Sequence, residues 1–560
     1  MSRRSLFWLA LLALAIFTAG MGLRNPWPAD EPLFAAMARD MVRSGQWLIP
    51  MMGGDYWQDK PPLFIWMIAV SDVLTGSLKL GFLLPSLLAG VGTLVLVYDL
   101  ARRLWNREAG FWAAGLLLLT VQFALQSRRG QPDAMLMFFT TLALYALLRQ
   151  LLLDGGWRWG IVAGVAAGLG ALTKVVGFFA FFVMIPWVYA LWRGWPGIRW
   201  QRPWYLWGVV ALAFFAVVAT WLVPMLLAAA ADPAVAQYRD ELLIEQTVGR
   251  YANPWHHYQP PWYYLQVIAT SWMPLTLLLP WLVPGWVRAL RERDARTLLP
   301  LGYAVIYVLF FTVSRGKREL YILSALPAVV LAAAPMLPGL LRRRAVLRAL
   351  LGLAALLVAV LLAGFLYLQF VDPRAGAKVL AKGGVSNLLP LLAAGSGGLA
   401  AILIWRMPRA HLALAGTMAS VWLVMGWWVF PQMDGERSAS RFIARLEGMA
   451  SADRPLGLVA YQEHFLWNLR RPSVNFGNRR TTREGDAETF DAAAWLARDP
   501  RRQLLVRETM MQPCFAGLES IREVGYASGE DWFLVSGSPD PSCVARGDMH
   551  NAIHYDPQHP

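Results

Sequence analysis

Asp30 and Glu31 stand side by side just after the first hydrophobic segment, and Asp59, Lys60 and Pro61 follow later in the same stretch. Carboxylates at a membrane boundary need a reason, because an unpaired charge taken out of water costs several kcal/mol. A carboxylate can accept a proton from an attacking hydroxyl or orient an acceptor, and a lysine can hold an anion. More charges recur at this level. Arg128, Arg129, Lys174, Arg250, Lys317 and Arg318 each fall at or beside the end of an apolar run, with Asp133 among them. Two accounts of them stay open. Mutual ion pairs would tie helix ends together, and for Arg129, Lys174 and Asp133 taken singly that is the simpler one. Cations gathered at one leaflet also match a lipid-borne phosphate.

The elements that must position these groups are membrane helices. The chain has 560 residues, 57% of them hydrophobic and 16% charged, with a mean hydropathy of +0.42. Its net charge of +15 comes in short clusters between apolar runs, such as Arg102–Arg103, Arg291–Arg293 and Arg342–Arg344. That pattern marks the cytoplasmic loops of a polytopic membrane protein and argues against nucleic-acid binding. The first segment, 5–23, follows Arg3 and Arg4 and resembles a twin-arginine signal. Its apolar core is too long for one and no cleavage site follows, so it reads as an uncleaved helix with its N-terminus in the cytoplasm.

Alternating charge then sets the sides of 82–101, 109–126, 134–153, 159–173, 175–192, 205–228, 263–288, 298–313, 321–341, 345–370, 388–404 and 411–431. With the first helix, that predicts about thirteen spans. Residues 1–431 would form the membrane domain, with a first periplasmic loop at 24–81 and a long one at 229–262. The apolar piece 61–74 is too short to cross and is expected to lie at the outer interface. Pro32 suits the first helical position, which makes Glu31 the N-cap and leaves Asp30 just outside. The helix that follows puts Leu33, Met37 and Met41 on one face and Arg39, Asp40 and Arg43 on the other, as if lying flat on the membrane.

Beyond 432 the pattern changes. A helical period covers 437–450, and "PLGLVAY", "RQLLVRET" and "DWFLVSG" read as short strands, giving a small periplasmic α/β domain over 432–560. Cys514 and Cys543 both fall there, in an oxidising compartment, and are a disulfide candidate. The final "HNAIHYDPQHP" reads as a frayed tail. The long loop carries "IEQTVGRYANPWHHYQPPWYYL", whose aromatics, Tyr263 included, fit an interfacial belt or a sugar-binding wall, and whose His256 or His257 supplies the one side-chain type that ordinarily changes charge near neutral pH.

The stretch "DEPLFAAMARDMVRSGQWLIPMMGGDYWQDKPPLFIW" resembles the first extracytoplasmic loop of the bacterial aminoarabinose transferases that modify lipid A, within the protein-mannosyltransferase-like superfamily. An acidic pair opens that loop in the family and a carboxylate-Lys-Pro motif closes it, here Asp30-Glu31 and Asp59-Lys60-Pro61. "RGQPDAMLMFF", "ALTKVVG" and "SRGKRELYILSALP" follow in family order. The sequence departs from the family pattern at Leu33-Phe34, at Asp59, and at Arg318-Glu319-Leu320, where Lys-Leu-Pro is usual.

The resemblance implies an all-α polytopic membrane protein of the GT-C type in the bacterial inner membrane. It implies a glycosyltransferase that takes a sugar from a polyprenyl-phosphate donor to lipid A or another envelope acceptor. It makes Asp30 and Glu31 the catalytic carboxylates. Lys60, Arg250, Lys317, Tyr321 and Arg128 would hold the donor phosphate, and Asp59, His256 and Tyr263 would face substrate. No cofactor is required; a divalent metal is a candidate, with Asp59 or Glu31 as ligands. A protein or surface-glycan glycosyltransferase of the same superfamily is the nearest alternative. A lipid-linked sugar flippase is the alternative of a different class, but the charges gather at one face and no inverted repeat is visible.

Overall fold

The computed structural model describes residues 3–57, 60–153, 155–200, 203–243, 258–477 and 487–558. Asp59, Arg250 and His256 therefore lie outside the described residues. Every apolar segment counted above is helical. Seven described helices are long and apolar enough to cross a bilayer by length and composition, or eight if Tyr263–Ser271 and Leu275–Arg291, bent by 108°, make one span. The rest are shorter or broken. In 109–126 the break falls at Thr120, whose hydroxyl bonds back to the Leu116 carbonyl at 2.8 Å. The Val121 N–H, released from its own helix, donates instead to the carbonyl of Met273, in the turn between Tyr263–Ser271 and Leu275–Arg291. Tertiary hydrogen bonds thus satisfy backbone that lipid could not.

The tightest turn lies between Trp157–Thr173 and the 3₁₀ segment Val175–Val183, with Lys174 at its apex. Two glycines permit it. A Cβ on Gly177 would sit 2.0 Å from the Gly170 carbonyl carbon, so only bare backbone allows this approach. Gly177→Val is expected to cost roughly 1–3 kcal/mol through overpacking and to displace Lys174. Thermal unfolding in detergent checks this, and an unchanged midpoint would dismiss the close approach as unimportant.

The helix Glu31–Ser44 starts one residue earlier than the sequence predicts: Asp30 holds the N-cap position and Glu31 is already helical. Nor does this helix lie on a membrane surface. Every residue from Glu31 to Met41 is buried. Its polar face docks on the C-terminal region, where Arg39 donates to the Leu466 and Trp467 carbonyls, both at 3.3 Å, and to the Tyr555 hydroxyl at 2.6 Å. Tyr555 in turn donates to Asp40 at 3.1 Å. Burial pushes the Asp40 carboxyl above the usual carboxylate range, against the pull of Arg39. The helix Leu63–Thr75 packs beside it, with Phe34 and Phe64 edge to face. Its outer face leaves Met67, Val70, Val73 and Leu74 exposed.

Eight strands are described: β1 (Met51–Met52), β2 (Asp55–Tyr56), β3 (Leu456–Leu458), β4 (Ser473–Asn475), β5 (Gln503–Arg507), β6 (Ser520–Ala527), β7 (Glu530–Ser536) and β8 (Ile553–Tyr555). The last six form one mixed sheet in the order β6-β7-β5-β3-β4-β8, with β3 parallel to both its neighbours. The end of the chain is not a frayed tail, since β8 completes the sheet beside β4. Cys514 and Cys543 are joined as a disulfide.

One hydrophobic core unites Leu33, Phe34, Met37, Phe64 and Ile68 of the first loop with Leu458, Phe465 and Trp532. The β1–β2 hairpin is held the same way. Gly53, at φ 61°, leaves no room for a side chain against Leu466 and Tyr461, and its carbonyl accepts from Asn475 Nδ2 at 2.7 Å. The sheet therefore fixes the stretch that leads into Lys60.

Candidate active site

Most residues at an N-cap spend their side chain on the helix's free N–H groups. Asp30 makes no such bond. Its Oδ2 instead accepts from Gln131 Nε2 at 2.9 Å and from Arg318 Nη2 at 3.1 Å. Gln131 immediately precedes the helix Pro132–Leu152, and Arg318 precedes the 3₁₀ turn Glu319–Ala325. That turn is pinned from behind. Gln122 Nε2 donates to the Glu319 carbonyl at 2.8 Å, and Trp272 Nε1 holds the other end of Gln122 at 2.7 Å.

A polar cavity of about 230 Å³ opens beside this pair, walled by Arg129, Gln131, Tyr263, Lys317, Arg318 and Glu319, among others. Lys317 is 4% exposed. Its ammonium donates to the Gln259 carbonyl at 3.2 Å, and burial lowers its pKa below the usual lysine value. Among the described residues neither Lys317 nor Arg129 has a carboxylate partner. Two uncompensated cations, beside a carboxylate already balanced by Arg318, make a site suited to an anion.

A second, apolar groove of about 640 Å³ runs past Pro61, Leu172, Val175, Phe214, Trp221 and Leu242. Lys60 does not line the polar cavity; it precedes Pro61 at the edge of this groove. Lys174 lines neither; it donates to Asp133 at 2.8 Å and lies 4.9 Å over the Tyr321 ring. Val175 follows it into the groove, and Leu320, before Tyr321, reaches the cavity. Lys174 and Asp133 thus form the ion pair that ties helix ends, and Tyr321 supports it.

Two predicted site residues face elsewhere. Arg128 is buried, donating to the Ala19 carbonyl at 2.8 Å and lying against Trp422 and Phe430. Its neighbour Arg129 takes the cavity wall. Glu31 is enclosed: Arg24 grips both its oxygens, Nη2 to Oε1 at 2.8 Å, while the N–H groups of Trp27 and Gly130 donate at 2.8 and 3.0 Å. With every near neighbour an N–H donor, Glu31 does not fit a metal ligand. Among the described residues no three His, Cys, Asp or Glu side chains gather into a metal cage.

Arg24, Gln131 and Asp434 were not visible as site residues in the sequence. Asp434 accepts from the Asn25 backbone and side chain at 2.8 and 2.7 Å and from Trp27 Nε1 at 2.9 Å, fastening the start of the first loop to the helix Phe430–Arg437. Its partners lie some four hundred residues away, so no local pattern announces it.

A family model described as dolichyl-phosphate-mannose-protein mannosyltransferase matches residues 59–221. The undecaprenyl phosphate-alpha-4-amino-4-deoxy-L-arabinose arabinosyl transferase of Pseudomonas aeruginosa (strain UCBPP-PA14) is 31% identical over 76% of this chain and 75% of its own. That of Pseudomonas paraeruginosa is 31% identical over 86% of each chain. The crystal structure of ArnT from Cupriavidus metallidurans bound to undecaprenyl phosphate superposes with a TM-score of 0.75 at 19% identity, over 95% of this chain and 98% of that one. The chain therefore belongs to the undecaprenyl phosphate-alpha-4-amino-4-deoxy-L-arabinose arabinosyl transferase family, multi-pass membrane glycosyltransferases of the GT-C fold.

Proposed function

We propose that this chain moves 4-amino-4-deoxy-L-arabinose from undecaprenyl phosphate to lipid A at the periplasmic leaflet of the inner membrane. The observation that carries the reading is the cavity whose wall brings Arg129 and Lys317 together with Gln131 and Arg318, the two partners of Asp30, in a chain that also holds the apolar groove lined by Pro61. The isoprenoid chain would run along the groove past Pro61, and the donor phosphate would rest on Arg129 and Lys317, with Lys60 near the entrance. Attack of the acceptor oxygen on the anomeric carbon breaks the bond from that carbon to the phosphate oxygen. The phosphate leaves with the electron pair, and the cations stabilise it. For a hydroxyl acceptor Asp30 takes the proton. A lipid A phosphate is already ionised, so there Asp30 orients the reacting groups and balances charge.

The arginine clusters of the opposite loops support a cytoplasmic N-terminus. The cavity and residues 432–560 then lie in the periplasm. The match to protein mannosyltransferases over 59–221 favours a second acceptor class, a protein hydroxyl.

The test reconstitutes the full chain with undecaprenyl-phosphate aminoarabinose and lipid A and follows the product by mass spectrometry. A gain of one aminopentose on lipid A is expected. In the same preparation Arg129→Ala and Lys317→Ala should each weaken undecaprenyl phosphate binding by about 10- to 100-fold, the loss of one charge-assisted hydrogen bond. Product without lipid A modification would move the acceptor elsewhere, and unaltered carrier affinity in both variants would remove the phosphate from this cavity.

A further inference from the structure

The cavity holds one charge that the transfer chemistry does not use. Glu319 lines the wall and is exposed. Arg318, next to it, is committed to Asp30 at 3.1 Å, and Lys317 to the Gln259 carbonyl. Among the described residues no cation lies within ion-pair distance of the Glu319 carboxylate. Its backbone is nevertheless fixed, through Gln122 and Trp272 on one side and, one residue earlier, by the Tyr264 hydroxyl donating to the Arg318 carbonyl. An acid on a fixed backbone, with no ion-pair partner among the described residues, in a cavity otherwise suited to a phosphate, works against anion binding unless the ligand also brings a cation.

We infer that Glu319 is a specificity-determining residue that binds a primary ammonium group on the sugar ring of the donor. This rests on the reading above, that the donor is undecaprenyl-phosphate aminoarabinose, and adds the residue that reads its amine. The cavity then has a complementary place for each charge. Arg129 and Lys317 take the phosphodiester, Asp30 stays with Arg318, and Glu319 takes the ammonium. A neutral sugar would leave Glu319 desolvated and unpaired, which is the strongest form of discrimination a site can build.

The experiment compares two donors on the reconstituted full chain: undecaprenyl-phosphate aminoarabinose with its free amine, and the same donor N-acetylated. Glu319→Gln is expected to lower kcat/KM for the free-amine donor by about 10- to 100-fold and for the acetylated donor far less, collapsing the preference between them. Glu319→Asp, which keeps the charge, should retain part of the preference. Affinity for undecaprenyl phosphate without sugar should be kept or tightened in Glu319→Gln, which also reports that the variant is folded. An equal fall for both donors, or an unchanged ratio, overturns the inference while leaving the transfer reading intact. A wild-type chain that moves a neutral sugar and no amino sugar overturns the donor assignment and the inference together.

Discussion

Asp30→Asn is expected to lower kcat by a factor on the order of 10² to 10⁴, the range that a positioned carboxylate contributes, with little change in affinity for undecaprenyl phosphate. The substitution is nearly isosteric. Asparagine can still accept from Gln131 and Arg318, so the cavity wall keeps its hydrogen bonds. The ion pair that is lost is partly solvated, with side-chain exposures of 27% and 22%, so its loss should cost no more than about 1 kcal/mol of stability. Removing a negative charge beside Arg129 and Lys317 would, if anything, favour a phosphate. A large fall in kcat at constant carrier affinity therefore isolates a transition-state role. The pH profile divides the two forms of that role. If Asp30 is a general base, the acid limb of kcat disappears in the variant; if it orients a phosphate acceptor, the limb is unchanged and only the height falls. A kcat within about threefold of wild type would take Asp30 out of the reaction.

What made Asp30 legible was its position, since charge at the end of an apolar run demands a partner. The partners themselves were less legible. Arg128 and Arg129 are identical neighbours, and only the turn through Ser127–Gln131 decides that Arg128 points at Trp422 and Arg129 at the cavity. The apolar runs located the helices, because lipid forces their backbones to bond internally. The interruption at Thr120 has no local signal, because the Val121 N–H is satisfied by Met273, far away in sequence. The same limit explains the helix Glu31–Ser44. Its alternation of apolar and charged residues is that of a surface helix, but the partners of Arg39 and Asp40 are two carbonyls and Tyr555, more than four hundred residues on. Periodicity records which face is polar and not what covers it. The end of the chain reads as a tail for the converse reason: β8 is only three residues long, and its pairing with β4 has no local signature.

Glu31 poses the sharpest question, since sequence places it beside Asp30 as a second catalytic acid and its surroundings argue for a positioning residue. Both members of the Arg24–Glu31 pair have side-chain exposures of only 5%. Glu31→Gln keeps the shape and hydrogen-bonding oxygen but leaves the Arg24 guanidinium buried, with the Trp27 and Phe82 rings at 4.7 and 5.3 Å and backbone carbonyls as its remaining neighbours. Stranding one charge of a buried pair costs roughly 3–5 kcal/mol, whereas replacing both partners by uncharged groups is often near neutral. Glu31→Gln alone is therefore expected to lower thermal stability sharply and to lose activity with it. Adding Arg24→Met should restore most of the stability, giving a coupling of at least about 2 kcal/mol across the double-mutant cycle. Activity separates the two roles. If Glu31 positions the Gly130 N–H and the Trp27 loop beneath Asp30, transfer returns as the fold returns. A stable double variant with no turnover would make Glu31 part of the chemistry after all, with Arg24 as its counter-charge.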